Sequence, residues 1–346
     1  MRTSFEIGGI RVAPGQRQTA LLPVPALYTN AAMSMPVTVV HGRREGPCLF
    51  VCAAVHGDEL VGVEIIRRLL KTKKLERLSG TLVAVPVVNV YGFIHQSRYL
   101  PDHRDLNRFF PGSESGSLTS QLADLFIDEV LSRCTHGVDL HAGAHHRTNL
   151  PQVRADLKDD EARRLALAFK APVVIDAELR DKSLRKAGKE RGIPVVVYEA
   201  GEVLRLDDVA VRAGVRGILA VMRAMSMLPA SAAARSRLTP LEVRRTTWMR
   251  AAASGLFLSK VALGAHIRQG QVLGRIADPF GAVETDIHAT QDGMVIGRLN
   301  LPLVHRGDAI FHIAHFERAA AIAPTLAEFH EEIETFDIQR PANMRD

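Results

Sequence analysis

Between Cys48 and Leu228, short apolar runs alternate with amphipathic stretches, and this alternation leaves the chain few architectures. The runs 48–55, 81–89, 137–141, 173–177 and 194–199 are of strand length and mostly apolar. Strands of that kind bury both faces. Between them, 59–70 carries apolar residues at 60, 61, 63, 65, 66, 69 and 70, the spacing of one helix face. The stretch 119–134 opens on the cap-forming pair Thr119 and Ser120, and helical patterns at 182–191 and 207–227 follow. Doubly buried strands joined by helices predict an α/β fold with a mixed, mostly parallel sheet covered on both sides.

The flanks differ from this centre. Residues 1–45 carry short alternating runs and turns, such as Phe5-Glu6-Ile7 before Gly8-Gly9, and predict a β-rich lead-in. The α/β domain then spans 46–230, and the small residues Ala230 to Ser236 read as a linker or a frayed helix end. From 240 to 315 helical periodicity is lost and β runs recur between glycines, among them Gly255, Gly264, Gly270 and Gly274, so an all-β domain is expected. The tail, 316–346, holds one helical pattern at about 324–336.

Composition excludes several functions. A hydrophobic share of 47% and a charged share of 24% match a soluble globular protein. No apolar stretch reaches the roughly 18 residues that span a bilayer, so no membrane is expected as a partner. Met1 to Pro14 lacks an apolar signal core. Cys48, Cys52 and Cys134 form no CxxC pair and read as free thiols in a reducing cytoplasm. The net charge of +6 comes from scattered clusters such as Arg67-Arg68 and Arg244-Arg245. With aromatics at 5% and no basic–aromatic interleaving, nucleic acid is not an expected partner.

Chemistry concentrates where strands end. His56-Gly57-Asp58-Glu59 follows the run 48–55, and Asp139-Leu140-His141 closes the run 137–141. Two histidines and one carboxylate are a ligand set of catalytic zinc, with a fourth position open to water. Asp139, two residues before His141, shares its face in a strand and is placed to orient the imidazole. Glu199 ends the run 194–199 and is a candidate general base. Arg98, Asn107 and Arg108 lie in a polar stretch that turns aromatic at Phe109-Phe110 and closes on Pro111-Gly112. Arginines held in such a loop suit capture of a carboxylate or an oxyanion. Taken singly, each motif also fits an ordinary structure: a chance HxxE, a strand-end histidine, a solvent-reaching glutamate, a surface loop.

Together, His56-Gly57-Asp58-Glu59, Asp105-Leu106-Asn107-Arg108-Phe109-Phe110-Pro111-Gly112, Asp139-Leu140-His141 and Glu199-Ala200-Gly201 resemble, in order and spacing, the succinylglutamate desuccinylase/aspartoacylase family of the zinc carboxypeptidase clan. The resemblance covers roughly residues 45–315. The longer stretch between Arg98 and Asn107 is closer to the family's broader, uncharacterised branch than to aspartoacylase. The resemblance implies a carboxypeptidase-like α/β/α sandwich and one zinc ion per chain, held by His56, Glu59 and His141. It further implies Glu199 as the catalytic carboxylate, Arg98 as the group that polarises the scissile carbonyl, and Asn107 and Arg108 as holders of a substrate carboxylate. Arg147-Thr148-Asn149-Leu150-Pro151 resembles the family's substrate loop, with Arg147 and Asn149 as contacts. A small carboxylate substrate is implied, and a homo-oligomer is compatible with it.

Val261 to Ile276 and Gly293 to Ile313 resemble the halves of a biotinyl/lipoyl-type barrel. No lysine lies between Gly281 and Gly293, so a structural or gating module is expected and not a carrier. Three functions fit these motifs: deacylation of a small N-acyl amino acid, trimming of peptides by a metallocarboxypeptidase, and non-catalytic binding of a small anion or a partner on the same fold.

Overall fold

A computed structural model describes residues 2–230, 236–316 and 322–336; most of the linker read at Ala230 to Ser236 lies outside the described residues. The lead-in forms strands β1 (Phe5–Ile7), β2 (Ile10–Val12), β3 (Arg17–Pro23) and β4 (Ser34–His41). The centre alternates β5 (Arg44–Ala53), α1 (Val61–Lys71), β6 (Ser79–Val85), α2 (Val90–Ile94), α3 (Leu118–Glu129), β7 (His136–Gly143), β8 (Arg147–Ala155), α4 (Asp160–Ala168), β9 (Val173–Asp176), α5 (Leu184–Glu190), β10 (Val195–Glu202) and α6 (Asp208–Ala224). Strands then dominate: β11 (Leu241–Val243), β12 (Arg245–Arg250), β13 (Gly255–Ser259), β14 (His266–Ile267), β15 (Val272–Ala277), β16 (Glu284–His288), β17 (Gly293–Leu299), β18 (Leu303–Val304) and β19 (Ala309–His315). Helix α7 (Ile322–Thr335) closes the described chain.

One mixed sheet of thirteen strands organises the molecule, with main order β12-β19-β17-β8-β10-β7-β5-β6-β4-β3. Its centre is parallel, β6, β5, β7 and β10 running together, and antiparallel strands flank it. The apolar runs lie at this centre because both faces are covered. Leu49, Val51, Val138, Leu140, Val196 and Tyr198 meet α1, α4, α6 and α7 on one side. Phe50, Cys52, Val83 and Val85 meet α2, α3 and α5 on the other. Ile65, Ile66 and Leu69 of α1 are fully buried, each contributing about 1.5–3 kcal/mol relative to exposure. Among the described residues no helix is long and apolar enough to cross a membrane.

The C-terminal strands divide between two sheets. β13, β15, β16 and β18 form a separate antiparallel sheet of four strands. β12, β17 and β19 extend the main sheet, joined to it where β17 pairs with β8. The glycine-punctuated segment is therefore antiparallel β, as its sequence predicts, and part of it is continuous with the central sheet.

The segment expected as a substrate loop, Arg147 to Pro151, is instead the start of strand β8. Its sequence hides this. Glu199 of β10 faces Gln152 while Gly201 faces Asn149, so two steps on β10 match three on β8. That bulge, at Leu150 and Pro151, breaks the alternation by which a strand is recognised.

Candidate metal centre and active site

The parallel strands deliver their residues to one edge of the sheet, beyond their carboxyl ends, where open α/β sheets bind ligands. The chain leaves β5 at Ala53 and turns through His56 to Glu59, whose N–H bonds back to the His56 carbonyl at 3.1 Å. Gly57 makes the turn fit: a Cβ there would run into the backbone of Gly92 and Phe93. On the neighbouring strands, His141 of β7 and Glu199 of β10 are register partners.

His56, Glu59 and His141 are all buried and offer ligand atoms within 4.8 Å of one another. His56 Nδ1 lies 2.7 Å from Glu59 Oε1, and His141 Nδ1 lies 2.8 Å from Glu59 Oε2. The outer ring nitrogens are also held. His141 Nε2 is 2.7 Å from Asp139 Oδ2, and His56 Nε2 is 3.1 Å from Asp105 Oδ1. Asp139 and Asp105 only accept, so the outer Nε2 of each ring donates, and the inward Nδ1 atoms are the ones available to a cation. Burial works against the charged form of His141, but Asp139 and Glu59 overcome it and hold its pKa well above the usual histidine value. Burial likewise opposes charge on His56, where Glu59 and the bond to Asp105 prevail. Burial would raise the Glu59 pKa, yet the two imidazoles hold it far below the ordinary carboxylate range.

This cluster fits a divalent cation. Three carboxylates surround two imidazoles in a dry setting, and both inward Nδ1 atoms converge on one carboxylate. The outer nitrogens are fixed by Asp139 and Asp105, the arrangement that orients metal-ligating histidines.

Arg98 approaches the same carboxylate. Its Nη1 stands 3.2 Å from His56 Nδ1 and 3.6 Å from Glu59 Oε1, while Nη2 donates to Asp105 Oδ2 at 2.9 Å. Glu199 Oε2 accepts from Asn149 Nδ2 at 2.8 Å, and its Oε1 lies 3.8 Å from Arg154 Nε. The side-chain oxygen of Asn107 accepts from Leu184 N–H at 2.9 Å, which ties the turn Leu106–Arg108 to the start of α5.

The structure brings all nine sequence-predicted site residues to one cavity of about 290 Å³: His56, Glu59, Arg98, Asn107, Arg108, His141, Arg147, Asn149 and Glu199. The cavity is also lined by Arg154, Arg180, Arg185 and Trp248, which sequence reasoning did not single out. The arginines look like surface cations in the sequence. Trp248 is the chain's single tryptophan, a signal that was legible. Asp105, at the start of the Asp105 to Gly112 motif, touches both His56 and Arg98. Burial, aided by neighbouring Arg154, pushes the Arg185 pKa down to about 10.

Known proteins resemble this chain in sequence and in fold. Residues 45–225 match the family model of the succinylglutamate desuccinylase/aspartoacylase catalytic domain. An N-alpha-acetyl-L-2,4-diaminobutyric acid deacetylase of Halomonas elongata is 31% identical over 314 residues, 82% of this chain and 86% of that protein. The crystal structure of a succinylglutamate desuccinylase/aspartoacylase from Rhodobacter sphaeroides superimposes with a TM-score of 0.77 at 26% identity, covering 87% of this chain and 96% of that one. The product-bound ectoine utilization protein EutE of Ruegeria pomeroyi shares the fold, with a TM-score of 0.77 at 24% identity over 86% of this chain and 95% of that one.

Proposed function

The chain belongs to the succinylglutamate desuccinylase/aspartoacylase family and is an amide-bond hydrolase, and from that premise we propose that it is a zinc-dependent deacylase of a small N-acyl amino acid. The observation that carries this reading is the convergence of His56, Glu59 and His141 within 4.8 Å, beside Glu199, in one cavity. His56, Glu59 and His141 would hold the ion in a carboxypeptidase-like site. Zinc bound there supplies Lewis acidity and acidifies a coordinated water.

The chain's own residues do the rest. Glu199 takes the proton of the attacking water and later delivers it to the departing amine. Asn149 donates to Oε2 of Glu199, and Oε1, whose nearest cation is Arg154 Nε at 3.8 Å, is the atom that takes the proton. Arg98 is tied to Asp105 through Nε and Nη2, which aims Nη1 at the ligand cluster, 3.2 Å from His56 Nδ1, where it stabilises the acyl oxygen as that atom gains charge. Arg108, the amide nitrogen of Asn107, and Arg147 receive the substrate carboxylate. The products are a carboxylic acid and a free amino compound.

The cavity favours an acidic or neutral substrate over a cationic one. Six arginines line it against two acids, Glu59 and Glu199. The compound in the Halomonas enzyme's name bears a side-chain amine, for which this wall offers little counter-charge. About 290 Å³ is at the small end of ligand sites and suits a compact acyl amino acid better than a peptide. The C-terminal strands, read as a barrel-like module without a carrier lysine, act as a wall of the site. The three unpaired thiols suit a cytoplasmic enzyme.

The test is a panel of N-formyl, N-acetyl and N-succinyl amino acids, with short peptides beside them, given to zinc-loaded protein and read by amine release. Preferential release from acyl amino acids supports the proposal. Preferential cleavage of peptides transfers the site to a carboxypeptidase, and no release from any of them leaves a binding module.

A further inference from the structure

A single row of paired residues crosses from the C-terminal strands to the catalytic strand. Trp248 of β12 pairs with His312 of β19, His312 with Gly297 of β17, Gly297 with Asn149 of β8, and Asn149 with Gly201 of β10. Trp248 and His312 stack face to face, with ring centroids 4.2 Å apart and planes 6° apart. Gly297 keeps the row closed: a Cβ there would press on both the Asn149 side-chain oxygen and His312 Cβ. Asn149 in turn donates to Glu199.

The Arg147 guanidinium lies over the Trp248 ring, 4.7 Å from its centroid, and Nη2 donates to the Ala309 carbonyl of β19 at 3.1 Å. Both restraints come from C-terminal strands. Arg147 Nε is buried without a hydrogen-bond partner, and so is His312 Nδ1. The guanidinium as a whole is half-buried and lines the cavity, and Nη2 carries its bond to Ala309, so the remaining outer N–H groups are the donors an anion can meet. His312 adds no competing charge, because burial first, and Arg154 and Arg147 second, push its pKa down to about 3.

We infer that Trp248 is a positioning residue for substrate recognition: with His312 behind it, its ring holds the Arg147 guanidinium flat, with the free donors turned to the substrate carboxylate. This deepens the deacylase reading above and rests on it for the substrate. It also gives the C-terminal strands a task, since the anion-binding wall is incomplete without them.

Because Trp248 is the only tryptophan, intrinsic fluorescence of the full, zinc-loaded chain reports this one position. The probes are N-acetylglycine and its uncharged counterpart N-acetylglycinamide. N-acetylglycine should change the emission saturably, and the amide should need a far higher concentration. Trp248→Leu should raise KM for a carboxylate substrate about tenfold, the scale of one partly desolvated cation–π contact, with kcat changed only a few-fold. Trp248→Phe should fall between the two. Arg147→Leu, which removes the donor itself, should raise KM at least as much, and the double variant should be no worse than Arg147→Leu, because the ring acts only through that guanidinium. Emission that responds equally to acid and amide overturns the inference. So does an unchanged KM in Trp248→Leu with native circular dichroism; should that variant not fold, Trp248→Phe and the fluorescence titration decide. The emission arm needs binding but no turnover, so a carboxylate-specific change without hydrolysis would remove the deacylase reading and leave the stack standing.

Discussion

His141 and Glu199 are register partners on adjacent parallel strands, so a metal-ligand candidate and the candidate base project from the same face of the sheet one strand apart. Their separation is fixed by backbone hydrogen bonding and not by a loop. Rigid elements hold reacting groups to the tolerance that catalysis needs. Glu199→Gln keeps the shape and removes the base. It should bind zinc with unchanged stoichiometry and turn over at least about 100-fold more slowly. Metal analysis alongside steady-state kinetics checks both halves, and full activity would remove Glu199 from the proton path.

Asp139 fixes the outer nitrogen of His141 at 2.7 Å, and Cys52 Sγ donates to its other oxygen at 3.4 Å. Asp139→Asn should weaken zinc binding by about 10–100-fold, the usual cost of losing such a partner. Competition with a chromogenic chelator measures it. An unaltered affinity would mean that His141 is held by packing alone.

Gly57 sits between two ligand candidates where the backbone of Gly92 and Phe93 leaves no room for a Cβ. Gly57→Ala must push the two segments apart. The expected result is a loss of more than about 2 kcal/mol in unfolding free energy, together with substoichiometric zinc. Urea unfolding and metal content, measured on one sample, check it.

His312 links stability to pH. Its folded pKa, about 3, lies below the ordinary 6.5, with burial as the main cause and Arg154 and Arg147 as lesser ones. The unfolded chain therefore binds a proton before the folded one does. The stabilisation is complete above about pH 6.5 and is lost as pH falls towards 3, by at most about 1.4 kcal/mol per unit. Urea midpoints should fall between pH 7 and pH 5, and the fall should be shallower in His312→Asn. Equal slopes in the two proteins would show that His312 ionises freely in the fold.

The sequence made the central sheet legible because β5, β7 and β10 are buried on both faces, which leaves mostly apolar runs of strand length. The same burial places His56, His141 and Glu199 at the ends of those runs, where a polar residue stands out. β8 was not legible as a strand. Its bulge interrupts the alternation, and its cavity-facing residues Arg147, Asn149 and Arg154 are polar because they face a site and not a core. Arg180 and Arg185 reach the cavity from a loop and from α5, and nothing local distinguishes them from solvated arginines. Trp248 enters it through strand pairing across the chain, a relation between residues 147–155, 293–299, 309–315 and 245–250 that no short motif encodes.

The central claim is that His56, Glu59 and His141 share one zinc ion. Anomalous diffraction at the zinc absorption edge, from crystals of metal-loaded protein, tests it most directly. A single peak about 2.0–2.2 Å from His56 Nδ1, His141 Nδ1 and a Glu59 oxygen is the expected result. A zinc peak at other residues, or none in protein that hydrolyses acyl amino acids, would contradict it.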